Sequence, residues 1–265
     1  MKTALDTIVD ATRRRVRDAK TTDMAAMREH ARAARVEVPV SRLRQALVSG
    51  RTVNIIAEFK RASPSKGVIN GRADPGEIAR TYEAGGACAI SVLTEPDFFQ
   101  GSLNDLRSVR RAVSLPVLRK DFIIDEFQIL EAAEAGADAV LLIVAALKAE
   151  DLVRLQSAAH ELGLDALVEV HTLDELEIAK DIGATLIGVN NRDLKSLEVS
   201  LDVSRNLIAH APPKVPMIAE SGLRSRDDLI ELERLGYSGF LIGETLMRSG
   251  DAASFLRELV GRSAF

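Results

Sequence analysis

Glu134-Ala135-Gly136-Ala137-Asp138-Ala139-Val140-Leu141-Leu142-Ile143 carries a pattern that returns through the chain. A helix-like stretch ends at a glycine, a few small or polar residues follow, and an apolar run of strand length comes next. The glycine suits the end of a helix, because it takes the left-handed conformation at no steric cost. The run lacks polar alternation, as expected of a strand buried on both faces. The same pattern recurs at Glu83–Leu93, Glu161–Glu169, Asp181–Val189 and Arg234–Gly243. Two more runs open at a proline, Pro116-Val117-Leu118-Arg119-Lys120 and Pro216-Met217-Ile218-Ala219-Glu220, and proline is tolerated as a first strand residue. Asn54–Phe59 supplies one more.

Eight runs therefore alternate with stretches long enough for one helix each. Helix starts are signalled at Asp74-Pro75, Ser102, Asp125, Thr172 and Ser225, residues whose side chains cap free backbone amides. Strands separated by helices must pair in parallel. Eight β/α units are the arithmetic of a closed α/β barrel, the (β/α)8 or TIM barrel. An open doubly wound sheet competes, but its dinucleotide-binding form carries G-x-G-x-x-G after the first strand. Here that strand ends in Glu58-Phe59-Lys60.

The length of 265 residues is ordinary for one such barrel, and roughly three quarters of the unfolded surface can be buried at this size. One cysteine, Cys88, gives neither a disulfide framework nor a thiolate metal site, and it reads as core. A net charge of -4 exerts no global pull on nucleic acid. The amino terminus lacks the apolar core of a signal peptide, and the run Ala139–Leu147 is too short to span a bilayer. A cytoplasmic protein with no membrane or nucleic-acid partner is expected.

Residues 1 to about 50 differ from the rest, being rich in Arg, Ala and Asp. Leu5, Ile8, Val9, Thr12 and Val16 fall at helical spacing, and Ser41–Leu47 reads as a second helix with Ser41 as its N-cap. A single domain over 1–265, with this helical extension leading into the barrel, is the expected organisation. The cluster Arg13-Arg14-Arg15-Val16-Arg17 reads as a solvated helix face balanced by Asp6, Asp10 and Asp18.

In a barrel the carboxyl ends of all strands ring one face. Those ends carry Glu58 and Lys60, Thr94, Lys120-Asp121, Glu169, Asn190-Asn191-Arg192, Glu220-Ser221 and Gly243-Glu244. Leaving Glu244 aside, charges from five strands on one side point to acid–base work on an anionic substrate. Lys120 and Glu169, on the third and fifth strands, are the expected general acid and base, each worth about 10² to 10⁴ in rate. Their environment is expected to draw the lysine pKa down and the carboxylate pKa up. Lys60 and Arg192 suit a substrate carboxylate. Ser221-Gly222 and Gly243, ahead of the last two helices, suit a phosphate. Phe99 and Phe122 are placed to sandwich an aromatic ring. No histidine shows metal-ligand spacing, and none is assigned a role. The Ser63–Gly67 loop is expected to be a mobile cover.

The stretches Ile56–Ser65, Leu118–Phe122, Leu167–His171, Gly188–Leu194 and Ala219–Gly222 closely resemble indole-3-glycerol phosphate synthase, over nearly the whole chain and including the helical extension. The resemblance implies a substrate, 1-(2-carboxyphenylamino)-1-deoxyribulose 5-phosphate, which closes a ring and loses carbon dioxide and water to give indole-3-glycerol phosphate in tryptophan biosynthesis. It implies Lys120 as general acid, Glu169 as general base and Glu58 assisting proton transfer. Lys60, also placed in the catalytic group, and Arg192 would hold the substrate carboxylate. Ser63, Phe99, Phe122, Leu141, Asn190, Glu220, Ser221 and Leu241 would contact substrate, and Gly222 and Gly243 the phosphate. No metal or cofactor is implied, because ring closure leaves a cationic imine that accepts the electrons released by decarboxylation. The implied enzyme is a carbon–carbon lyase acting as a monomer. Glu244 departs from the family, which commonly has a small hydroxyl residue there, and it receives no role. A phosphoribosylanthranilate isomerase-like barrel would call for Cys and Asp at the first and sixth strand ends, where this chain has Glu58 with Lys60, and Asn190. A non-catalytic phosphate-binding barrel is the other alternative, against which the acid–base residues at several strand ends argue.

Overall fold

Each apolar run becomes a strand because both its faces find apolar cover, one row of side chains filling the barrel and the other meeting the helices. The computed structural model describes residues 2–20, 23–48, 53–194 and 196–261. The expected limits of extension and domain, residues 1, 50 and 265, lie outside them. The barrel strands are β1 Ile55–Phe59, β2 Ala89–Leu93, β3 Val117–Lys120, β4 Ala139–Ile143, β5 Asp165–Val170, β6 Ile187–Asn190, β7 Met217–Glu220 and β8 Gly239–Ile242. Each pairs in parallel with its sequence neighbours, and β8 pairs with β1 to close the ring. This is a TIM barrel. The side chains of Asp74, Ser102, Asp125, Thr172 and Ser225 all accept backbone N–H groups at helix starts.

Strand alternation sorts the side chains. Ile56, Leu118, Leu141, Leu167, Ile218 and Leu241 pack together inside the barrel, whereas Ala57, Val117, Val140, Val168 and Ala219 join the layer between strands and helices. Cys88 is buried with the inner group.

The extension holds three helices rather than the two read from sequence: α1 Ala4–Ala19, α2 Met24–Ala33 and α3 Arg42–Leu47. The apolar stripe Leu5, Ile8, Val9, Thr12 and Val16 is buried, as its spacing required. Leu43 and Leu47 of α3 belong to the inner barrel group and plug the bottom of the barrel. Buried Asp138 anchors this end, with Arg35 at 3.3 Å, Arg42 at 2.8 Å and Arg110 at 2.9 Å. Ser41 is not a helix cap. It sits in the left-handed region with no capping bond, and its side chain instead bonds Asp165 at the start of β5.

The arginine cluster of α1 also departs from a simple solvated face. Arg13 and Arg17 do pair locally, with Asp10 and Asp18. Arg15 instead reaches the barrel, 3.2 Å from buried Glu95, 3.1 Å from Asp97 and 3.8 Å from Asp121. The extension therefore grips the barrel at both ends.

Candidate active site

Inward-pointing positions turn polar in the upper layer of the barrel. Glu58 on β1 shares a face with Ile56, Lys120 on β3 with Leu118, Glu169 on β5 with Leu167, and Glu220 on β7 with Ile218. The period of two that fills the core thus aims four ionisable side chains at one space. Lys120 Nζ lies 3.1 Å from Glu169 Oε2 and 2.6 Å from Glu220 Oε2. Beside them Lys60 Nζ lies 2.7 Å from Glu58 Oε1.

Two glycines make room for these carboxylates. A Cβ at Gly188 would collide with Glu220 Oε1, and one at Gly243 would collide with Glu58 Oε1. Gly243 thus serves the packing of Glu58 as well as opening the helix Glu244–Arg248. The Glu244 carboxylate turns to Arg248, 3.3 Å away.

The charges set one another's protonation. Burial by itself would lower Lys120, but the carboxylates of Glu220, Glu169 and Glu58 outweigh it and hold the ammonium above its ordinary range. Burial would raise Glu169, but Lys120, then His171, hold it below the usual carboxylate range, with a further hydrogen bond from Asn190. Both directions reverse the sequence expectation, because opposite charge at hydrogen-bond distance outweighs desolvation. Burial drives Glu220 up, Lys120 pulls it back and Glu169 pushes it up again, so that it settles at about 7.

A cavity of about 960 Å³ opens above this group. Every site residue put forward from the sequence lines it, namely Glu58, Lys60, Ser63, Phe99, Lys120, Phe122, Leu141, Glu169, Asn190, Arg192, Glu220, Ser221, Gly222, Leu241 and Gly243. Leu5 and Ile8 of α1 form part of its wall. The Ser63–Gly67 loop is a short antiparallel hairpin, Ala62–Ser63 against Gly67–Val68, whose turn borders the opening. Phe99 and Phe122 are in contact with each other, centroids 6.1 Å apart and tilted by 36°. In this structure they form one aromatic wall rather than two faces of a slot. Arg192 donates to Leu197 O at 3.1 Å within its own loop.

Asn191, Arg119 and His171 received no role from the sequence, and the strain at Ser221 was not foreseen. Asn191 donates to Glu220 O at 3.0 Å and Ser221 O at 3.1 Å, tying the ends of β6 and β7 together. Ser221 is held at φ 65°, where a residue with a Cβ is strained. Arg119 points away from the barrel interior, bonding Thr94 at 3.1 Å and Asp121 at 3.0 Å behind Lys120. His171 stands against Glu169 at 3.3 Å. The spacing Glu169-x-His171 was the available signal, since it continues the strand alternation and puts both side chains on one face.

The family model for indole-3-glycerol phosphate synthase matches residues 5–259. The chain belongs to that family. Among its relatives are the indole-3-glycerol phosphate synthases of Desulfosudis oleivorans, 47% identical over 95% of this chain and 94% of that one, and of Carboxydothermus hydrogenoformans, 47% identical over 97% and 99%. The activity is indole-3-glycerol phosphate synthesis, a decarboxylating lyase reaction of tryptophan biosynthesis on a phosphorylated small molecule. Solved structures with the same barrel include a thiamine phosphate pyrophosphorylase from Pyrococcus furiosus, with TM-score 0.60 and 19% identity over 83% of this chain and 98% of that one. An N-acetylmannosamine-6-phosphate 2-epimerase from Clostridium perfringens gives TM-score 0.58 and 16% identity over 75% and 89%. At such identities the likeness is one of fold. Among the described residues no helix is long and apolar enough to cross a membrane.

Proposed function

We propose that Lys120 and Glu169 are the general acid and general base of this synthase, acting on 1-(2-carboxyphenylamino)-1-deoxyribulose 5-phosphate. Lys120 gives a proton to the sugar carbonyl oxygen as the ring carbon bearing the carboxylate attacks the carbonyl carbon. That oxygen becomes a hydroxyl and the ring nitrogen a cationic imine. Carbon dioxide leaves, and its bonding pair neutralises the imine. The hydroxyl then leaves as water, taking a proton from a lysine of the site, while Glu169 removes a proton from the adjacent carbon. Glu58 assists these transfers through Lys60.

The observation that carries this reading is the Lys120 ammonium lying 3.1 Å from Glu169 and 2.6 Å from Glu220 at the base of the cavity. A proton taken by Glu169 can return to Lys120 without crossing solvent. Lys60 and Arg192 bind the substrate carboxylate, and Asn190, Glu220 and Ser221 position the reacting atoms. Ser63, Phe99, Phe122, Leu141 and Leu241 enclose the ring and sugar, and Gly222 and Gly243 offer backbone amides to the phosphate. The chain works as one domain, needs no nucleic acid and acts as a cytoplasmic monomer, and a dimer in sedimentation at working concentration would contradict the monomer.

Lys120→Ala tests the acid. Turnover, followed by the fluorescence of the indole product, is expected to fall about 10² to 10⁴-fold while substrate still binds. A variant turning over near the wild-type rate would sink the assignment.

A further inference from the structure

Glu169 is gripped from two sides by groups of opposite charge. Lys120 Nζ takes Oε2 at 3.1 Å. His171 Nε2 stands 3.3 Å from Oε1 as an ion-pair partner. The imidazole is itself held. Its Nδ1 lies 3.1 Å from Glu175 Oε2, and the same oxygen accepts the His171 backbone N–H at 2.7 Å. Glu175 lies in the first turn of the helix Leu173–Asp181, whose N-cap is Thr172. A carboxylate, an imidazole and a second carboxylate thus form a line running from that helix into the barrel, and only 9% of the His171 side chain is exposed.

From this geometry we infer that His171 is a positioning residue for the base, fixing the Glu169 carboxylate and supplying its second counter-charge. The inference rests on the assignment of Glu169 as general base. When substrate engages Lys120, Glu169 would lose its nearest cation, and His171 remains to keep it ionised and aimed. The charge on His171 is set by few groups. Burial lowers its pKa, but Glu169 on its own strand and Glu175 on the following helix carry it up to about 10. The flanking strands, β4 as Ala-Val-Leu-Leu-Ile and β6 as Ile-Gly-Val-Asn, contribute no titratable side chain. The short turn Val144–Ala146 adds none.

The sign follows directly. A cation beside Glu169 lowers its pKa, so removing that cation raises it. Base catalysis is lost as the pH falls through that pKa, and the acid limb of the kcat profile therefore moves to higher pH.

The test uses two substitutions of His171 and one of Glu169 in the whole chain, read by indole-product fluorescence. His171→Ala is expected to lower kcat about tenfold with little change in KM, and to shift the acid limb of kcat up by about one pH unit. His171→Gln places a neutral donor near the position of Nε2. It is expected to recover kcat at neutral pH and to keep the shifted acid limb. A merely structural role would lower stability without moving that limb. Acid limbs that stay at the wild-type position in both variants would overturn the inference. Glu169→Gln separates the two levels, because a Glu169→Gln enzyme that still turns over overturns the assignment of the base itself.

Discussion

The Oε1 of Glu220 occupies the space where a side chain on Gly188 would begin. The two residues sit on neighbouring strands, with Gly188 paired to Ile218 and Asn190 to Glu220. The bare backbone at 188 lets a carboxylate lie flat across β6 and still reach Lys120 at 2.6 Å. That oxygen is buried and has no hydrogen-bond partner among the described residues, and a buried acceptor left unpaired costs about 1–3 kcal/mol. On the proposed role of Glu220, substrate would relieve this cost by donating to it.

Gly188→Ala should therefore be a catalytic lesion more than a folding one. The backbone at 188 suits alanine, since its φ is not positive, but the new methyl must push Glu220 away from Lys120. Misplacement on that scale costs about a hundredfold in rate. The expected result is a fall in kcat/KM of that order with an unchanged circular dichroism spectrum. Full activity would mean that Glu220 tolerates displacement.

The pH profile of the free enzyme should carry the mark of Glu220. Its carboxyl, raised to about 7 by burial against the pull of Lys120, is neutral below that pH and ionised above it. Ionisation adds negative charge facing an anionic substrate. In the wild type, kcat/KM is expected to decline above about pH 7, by at most tenfold per unit for one group. Glu220→Gln cannot ionise, and its profile should lose that inflection. Persistence of the inflection in Glu220→Gln would assign it to another residue.

At the top of the barrel, Arg15 should matter more than an exposed arginine normally does. It joins α1 to Glu95, whose side chain is fully buried and caps the turn Pro96–Phe99. Arg15→Ala removes a counter-charge from that buried carboxylate, at a cost of about 1–3 kcal/mol. Urea unfolding should show the loss, and KM should rise because Phe99 and the cavity wall formed by α1 are both supported by this contact. An unchanged urea midpoint would mean that the amides of Asp97, Phe98 and Phe99 satisfy Glu95 on their own.

At the opposite end, Leu43→Ala should separate stability from activity. Leu43 is completely buried in the bottom of the barrel, far along the strands from Lys120. Cavity formation there costs about 2–5 kcal/mol. Denaturation should register that loss while kcat below the unfolding transition stays near the wild-type value. A large fall in kcat would show that the plug transmits to the upper layer.

Strands were legible because each is an apolar run buried on both faces, and the end of each run gives the chemistry-bearing position directly. Lys120 and Glu169 announce themselves in this way, as charges two residues beyond Leu118 and Leu167. What sequence could not supply was distance across the barrel. The protonation of Lys120 and Glu169 depends on their mutual 3.1 Å approach, between residues 49 positions apart, so the expected pKa directions came out reversed. Ser41 looked like a cap because its bond to Asp165 is equally non-local. Arg15 looked solvated because its partners lie on a loop 80 residues away. The helix Met24–Ala33 went unread between the two stronger patterns. His171 is a different case. Its spacing from Glu169 was local and visible, but it lies one residue past the strand end at Val170, and without metal-ligand spacing it received no role.

The grip of the extension has a consequence for the order of assembly. Arg35 donates to Leu162 O, 127 positions later, Arg44 N–H to Asp165, 121 positions later, and Arg42 to Asp138, 96 positions later. The extension, made before the barrel, must therefore wait until residue 165 exists before these bonds can form. Closing such long loops is slow. Docking of the extension is accordingly expected to follow barrel closure, with α3 sealing a ring already formed. In chains arrested at increasing length, protection of residues 23–48 from protease should appear only after β8 has emerged to close the ring, and earlier protection would refute this order.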